Sequence, residues 1–485
     1  MILANIAVFS AILIPAILYF YKSWKVQDEI EGLADFFPLK RTYTAGQFRS
    51  TTVAAGMSLA TVMIAFLNLA PALGISLMIS VITYCLSFVV LYFCAPAIMN
   101  ANKDNLTIQA FLGKSYESNA VKKTALTFSL IGYLSIFSME LLVGVTVLTP
   151  FLGQWVLAFA VVYLVFLIIY SMISGYKAVV ATDVWQLRFI ILSIGALFVF
   201  LLMSLKRTEL SLPFADMTKV IFSDWRAPLS FCAGITIMNL PAPISDAGTW
   251  QRLCAAKDVA SARRGVWQVV GLFFVLWSAL ILLGNYFAVS GVFTPEYMQE
   301  QGSLLSAILS HMSNNGAISL IILFAFILGL FSAMISTADS LLIVASQVFS
   351  LDLLNLDPEA HKDDSLRKTR IAMFCMAVLS FVIFLVFHLI KFDVVQLVFA
   401  IYGAQLAMFP SVLAALFLQK KLDLKKARPA AFGSIAGGFL LAWAFALYGK
   451  VNGSMNAQFY APAAGLAGAI VVYLIMSLPA WRKSA

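Results

Sequence analysis

The sequence predicts an all-α polytopic membrane protein with about thirteen transmembrane helices, on three observations. Of its 485 residues, 62% are hydrophobic and 11% are charged, with a mean hydropathy of +0.93. A soluble domain carries roughly 25% charged residues. Apolar stretches of about 18 or more residues, each long enough to cross a bilayer, recur along the whole chain. Lys and Arg then concentrate on alternate loops, as they do in membrane proteins of fixed orientation.

The apolar stretches lie at 3–22, 48–70, 73–98, 124–149, 153–174, 180–205, 229–247, 266–290, 317–350, 370–389, 394–418, 430–448 and 460–479. The first lacks a basic segment before it, and its charges (Lys22, Lys25) follow the apolar run. It therefore reads as a retained helix rather than a signal peptide. The second and the seventh are interrupted, by FLNLAPALG with Asn68, Pro71 and Gly74 and by MNLPAPISD with Pro241 and Pro243. Proline removes a backbone donor and clashes with a continuing helix. Broken helices in matching places of two halves mark inverted repeats in transporters, because unpaired backbone at membrane depth is tolerated only where it lines a cavity. The connections 23–47, 99–123, 206–228, 291–316 and 351–369 are too short for a soluble domain. Within them, 296–312 reads either as an interfacial helix or as a solvated loop.

Orientation follows from the basic residues. With the N-terminus outside, 24 of the 32 Lys and Arg fall on inner segments and 6 on outer ones, leaving Arg49 and Arg188 in or beside spans. The N-terminus is therefore expected outside and the C-terminus in the cytoplasm of a plasma (inner) membrane, which needs an odd number of crossings. The net charge of +9 is spread over these segments, so it speaks of the bilayer and not of nucleic acid. The five cysteines form neither a metal spacing nor a disulfide framework. His311, His361 and His388 have no metal-ligand spacing.

The ninth stretch carries the strongest chemical signal. In GLFSAMISTADSLLIVASQVFSLDLL (Gly329 to Leu354), Ala333, Ser336, Thr337 and Ser340 fall at i, i+3, i+4 and i+7 on one helical face, beside Asp339. Hydroxyls and a carboxylate at membrane depth must face protein, water or an ion. Hard oxygen donors suit a hard cation; small hydroxyl residues also let helices pack closely, and both readings stand.

At these residues the chain resembles the sodium:solute symporter family, which includes proline, pantothenate, sialic acid and sodium/glucose cotransporters. Three further patches are similar in order and spacing: GYKAVVATDVWQ (Gly175 to Gln186), SDAGTWQRLCAAKD (Ser245 to Asp258) and GAQLAMFPSVLAALF (Gly403 to Phe417). The resemblance implies a LeuT-type core of two five-helix inverted repeats, here 46–205 and 228–418. A peripheral first helix at 3–22 and two C-terminal helices within 428–480 complete it. It implies Na⁺ as coupling ion, held by the carbonyl of Ala333 and the hydroxyls of Ser336 and Thr337. Two carbonyls three residues apart on the facing broken helix complete the set, aligned to Thr61 and Ile64. Some members use the aspartate matching Asp183 at a second ion site. Here Asp339, with Ser340 after it, replaces an expected hydroxyl, so a second cation or a proton is the expectation.

The remaining buried charges leave alternatives open. Asp183 reads as a helix N-cap or an ion ligand. Glu140 and Arg188 lie inside apolar runs, so they should neutralise each other, or Arg188 should pair with Asp339 or Asp183. Alternatively Glu140 holds an amino or hydroxyl group of the solute. Asn68, Asn239 and Gln405 are the other candidates for binding it, or else polar links between helices. Trp250, Gln251 and Arg252 read as a structural inner junction.

The expected function is Na⁺-coupled import of a small polar organic solute by alternating access in the lipid bilayer. The second reading is a solute sensor of the same fold acting through a separate signalling partner. No paired nucleophile and base, and no metal motif, points to an enzyme.

Overall fold

The structure, a computed structural model, describes residues 2–102, 107–204, 226–290, 292–358, 362–391 and 394–481. Lys103, Lys206, Arg207, Lys219, His361, Arg482 and Lys483, which entered the charge and histidine arguments, lie outside them. The described residues are mostly helical, joined by turns and short irregular segments, and their extended pairings are two isolated ones, Tyr43 with Ala256 and Leu422 with Trp481. Nine helical stretches among them are long and apolar enough to cross a membrane.

Several of those stretches are longer than one crossing. Asn119–Ser204 runs for 86 residues, about 130 Å if it were straight, against a hydrocarbon core of about 30 Å. Gly153 (φ 51°) and Gly175 (φ 54°) bend it in the left-handed region. A side chain at Gly175 would run into the carbonyl of Phe36, so both the φ and the space require glycine. The result is one helix at Asn119–Leu152 and a second, Val156–Ser204, with two limbs meeting at Gly175.

In chain order the main helices are α1 (Ile2–Lys25), α2 (Ala45–Gly56), α3 (Ala65–Leu73), α4 (Met78–Ala101), α5 (Ile108–Ser115), α6 (Asn119–Leu152) and α7 (Val156–Ser204). They continue with α8 (Arg226–Asn239), α9 (Ala247–Ala255), α10 (Val259–Val289), α11 (Leu304–Asn314), α12 (Gly316–Gln347) and α13 (Lys362–Ile390). The last four are α14 (Val394–Gln405), α15 (Phe409–Phe417), α16 (Arg428–Val451) and α17 (Ala461–Ser477).

α12 is the axis of the bundle. It packs against α1, α2, α6 and α7, and every residue from Phe326 to Ser340 is buried. Its polar stripe therefore faces protein, the one arrangement in which hydroxyls and a carboxylate survive at this depth. α1 exposes one flank (Ile2, Leu3, Ile6) but its other flank is tied in by polar contacts. The Tyr19 hydroxyl sits 2.7 Å from Ser332 Oγ, and Ser23 Oγ donates to the carbonyl of Tyr170 at 2.7 Å. The segment 296–312 holds the end of a short, largely exposed helix (Pro295–Glu300), a turn, and from Leu304 a packed helix. α11 buries Leu304, Leu305, Ile308 and Met312 against α12 and α3.

The two interruptions behave differently. The one at 239–246 falls where the prolines put it. α8 ends at Asn239, a short turn holds Pro241 and Pro243, and α9 restarts after Asp246, whose carboxylate accepts from the Thr249 N–H at 2.6 Å. The first break lies earlier than FLNLAPALG. Pro71 is inside α3, and the chain leaves helical geometry at Met57 and Ser58 (φ −37°, ψ 135°). Leu59–Ile64 then forms a wide π-helical stretch leading into α3. Proline was the wrong signal here, because the freed amides after Ser58 are satisfied by a side chain from another helix.

Candidate functional site

That side chain is Glu140, in the middle of α6 and fully buried. Its carboxylate accepts from the Ser58 hydroxyl, from the Leu59 N–H (3.2 Å) and from the Ala60 N–H (3.4 Å). These are the orphan donors at the start of the second half of a broken helix, and a carboxylate there also meets the positive helix end. Ser58 Oγ in turn accepts from the Thr61 N–H at 3.0 Å. Glu140 is thus neither a partner of Arg188 nor among the residues facing the central cavity.

The other half of the break points at α12. The Thr337 hydroxyl donates to the carbonyl of Ala55 at 3.0 Å, in the last turn of α2, where carbonyls lack intrahelical donors. Ala55 and Ser58, three residues apart, flank the break. The sequence alignment had Thr61 and Ile64 in these places. The structure puts Thr61 in the π-helical stretch lining the cavity and Ile64 at its end, up to two turns beyond Ala55. The aligned pair thus lies six residues beyond Ala55 and Ser58.

The polar residues of α12 look in different directions. Ser336 Oγ donates to Asp183 Oδ1 at 2.6 Å. Asp183 lies in the second limb of α7, well past its start, so it is not a helix cap, and its buried Oδ2 has no hydrogen-bond partner among the described residues. Asp339 Oδ2 accepts from the Tyr170 hydroxyl, and its buried Oδ1 has no hydrogen-bond partner among the described residues. Ser340 Oγ accepts from Arg252 Nη2 at 2.9 Å. Asp183, Asp339 and Ser340 each take a different hydrogen-bond partner, Ser336, Tyr170 and Arg252. Ala333 is fully buried on the Ser336–Thr337 face.

Among the described residues Arg188 pairs with no carboxylate. Its side chain is exposed, with the guanidinium 4.7 Å from the Trp185 ring centre, and Lys22 at the end of α1 reaches the same ring at 5.4 Å. A long basic side chain that stacks on an interfacial tryptophan escapes the midplane cost that motivated the pairing. The stabilities lost in Glu140→Gln and Arg188→Gln are therefore expected to add, with a coupling below about 0.5 kcal/mol in a double-mutant cycle. Thermal unfolding in detergent reads it; a coupling well above that value would restore the pair.

The central cavity lies between the two broken helices, α4, α10, α12 and α14. Tyr84 and Trp277 stack on one wall (centroids 4.5 Å apart, 11° between planes), with Phe66 edge-on to Trp277 at 5.2 Å. Asn239 and Gln405 both reach the cavity, as the sequence suggested. Asn239 is anchored to Ser80 O (3.2 Å) and Thr83 Oγ1 (3.0 Å), whereas Gln405 Nε2 is buried without a partner. Asn68 is not there: it is exposed, and its Oδ1 accepts from the Leu305 N–H at the start of α11. Asp246 and Arg252 are the cavity's charges, and sequence reasoning missed both. Arg252 is 7% exposed with an unpartnered Nε, so it is a cavity residue and not only an inner junction. The available signal was the spacing after MNLPAPISD, since a second helix that restarts inside the membrane carries its first two turns toward the centre.

With this geometry in hand, the comparisons with known proteins are informative. The sodium:solute symporter family matches residues 43–437. Among solved structures, a Na⁺-coupled sialic acid symporter in a substrate-bound, outward-open state is 13% identical, with 99% of each chain covered and a TM-score of 0.77. A manganese transporter of Eremococcus coleocola, solved with an aromatic bis-isothiourea compound, is 12% identical over 92% of this chain and 99% of its own, with a TM-score of 0.56. At such identities these likenesses establish the fold. No curated protein matches the sequence. The family match covers most of the chain, broken helices and polar α12 included: the protein belongs to the sodium:solute symporter family, a multi-pass membrane protein that couples Na⁺ to the movement of a solute.

Proposed function

We propose that this protein imports a small polar organic solute, with Na⁺ held where α12 meets the first break. The ligands in this reading are the carbonyls of Ala55, Ser58 and Ala333 and the hydroxyls of Ser336 and Thr337. The observation that carries it is the Thr337 hydroxyl directed at the Ala55 carbonyl beside the break. Neutral oxygens in a largely dry site suit a monovalent cation better than a divalent one, which favours an anionic cage. Asp183, touching Ser336 and with one oxygen unpartnered, is the residue to hold a second cation or a proton. Asp339, bonded to Tyr170 on the far side, is an indirect contributor at most.

The solute binds in the central cavity against Tyr84, Trp277, Asn239 and Gln405. Asp246 and Arg252 give that cavity one charge of each sign, which favours a neutral or zwitterionic solute. Two breaks, at 57–58 and 240–246, support the pairing of repeats 46–205 and 228–418 about the site. Na⁺ stabilises the outward-open, solute-competent state through its higher affinity for that state, and losing it inside releases the solute. The membrane potential adds about 2.3 kcal/mol per charge per 100 mV. The N-terminus lies outside, the C-terminus lies in the cytoplasm, and the protein transports its solute without chemical change. Uptake of a solute panel into proteoliposomes tests this: the transported compound should accumulate under an inward Na⁺ gradient and fall to background when K⁺ replaces Na⁺. Accumulation independent of Na⁺ would defeat the reading.

A further inference from the structure

A second concave site lies on the lateral surface of the bundle, between α4 and the first turns of α10. Tyr92, Arg263, Arg264, Trp267 and Gln268 form it. The Arg263 guanidinium stacks over the Tyr92 ring at 4.7 Å, and its Nε donates to the Tyr92 carbonyl at 3.2 Å. Among the described residues neither Arg263 nor Arg264 forms an ion pair. The nearest acid in sequence, Asp258, is occupied as the cap of α10, accepting from the Ser261 N–H at 2.6 Å. Trp267 is 53% exposed and lies 5.8 Å from Tyr92.

The depth of this cluster matters. The two arginines sit in the first two turns of a 31-residue helix that carries no further charge and is mostly apolar from there on. Beyond them the flanks of both helices are bare hydrocarbon, with Leu86 and Val90 on α4 and Phe274 and Val275 on α10 exposed. Tyr and Trp are the residues of the membrane–water boundary, so the guanidiniums stand at the level of lipid headgroups with an apolar groove running inward from them. A guanidinium pair matches phosphate oxygens in bidentate geometry.

We infer that this groove binds one anionic phospholipid, its phosphate held by Arg263 and Arg264 and its acyl chains laid along α4 and α10. The continuation of the cluster into exposed apolar surface favours a lipid over a free phosphate ion. Because α10 also contributes Trp277 to the cavity wall, the lipid would brace the same helix that the solute meets.

Native mass spectrometry of the full-length protein in detergent tests the site, with phosphatidylglycerol, phosphatidylcholine or inorganic phosphate added. Phosphatidylglycerol should be retained one per protein in preference to phosphatidylcholine, and millimolar inorganic phosphate should not displace it. The double substitution Arg263→Gln with Arg264→Gln should weaken retention by about tenfold or more. If that variant does not fold, Arg264→Gln alone, at an exposed side chain, should weaken it by about threefold. Equal retention in the variants, or equal retention of the two lipids, overturns the proposal. Displacement by inorganic phosphate overturns the lipid as its occupant.

Discussion

Thr337→Ala should raise the Na⁺ concentration for half-maximal uptake by about tenfold or more, since an interaction with a charged partner is worth roughly 1.5–3 kcal/mol. The hydroxyl lies on the face of α12 that meets the end of α2, and its present acceptor, the Ala55 carbonyl, is one of the proposed Na⁺ ligands. Removing it subtracts one oxygen from the ion; Thr337 borders the central cavity, but the proposed solute contacts Tyr84, Trp277, Asn239 and Gln405 stay in place. Apparent solute affinity should therefore fall at limiting Na⁺ and recover at saturating Na⁺. Thr337→Ser restores the oxygen without the methyl group and should recover most of the ion affinity. Ser336→Ala should act in the same direction and in addition free Asp183, its partner at 2.6 Å. Uptake measured against Na⁺ concentration decides the matter: unchanged Na⁺ dependence in both alanine variants would remove the site.

The sequence made the helical membrane class and the polar face of α12 legible because both rest on periodicity and composition, which are local. The MNLPAPISD break was legible for the same reason, as proline acts on its own backbone. What stayed hidden depended on partners far away in sequence. The first break is made by Ser58 and completed by Glu140, 82 residues later, so nothing near Ser58 announces it. The alignment put the carbonyl pair at Thr61 and Ile64, six residues beyond Ala55 and Ser58, which flank the break. The pairing rule for buried charges failed in an instructive way. Arg188 is not buried, and Glu140 is held by hydrogen bonds from a hydroxyl and two amides instead of by a cation. Asn68 failed because a helix following a break can turn its polar residue outward, here onto α11. Arg252 was hidden by its place among basic residues at a span's end, where the charge rule claims it for the cytoplasm.

Glu140→Ala is the substitution expected to do most damage. It deletes the acceptor of the Ser58 hydroxyl and of two amides in a fully buried place, and each orphaned donor costs about 1–3 kcal/mol. Little folded protein should survive extraction, and what survives should melt several degrees lower. Glu140→Gln is the more informative change. It keeps one acceptor oxygen but loses the negative charge at the positive helix end and brings donors toward amides that also donate. The start of the second half-helix should loosen, and Ser58, whose carbonyl belongs to the proposed Na⁺ set, should move with it. Stability and Na⁺ affinity should therefore fall together, while solute affinity at saturating Na⁺ is retained. A Glu140 that held an amino group of the solute would behave in the opposite way. Its glutamine variant would melt like the wild type and lose solute affinity at every Na⁺ concentration. That pattern would return Glu140 to the cavity, whereas the first fixes it as the residue that keeps the helix broken where the ion binds.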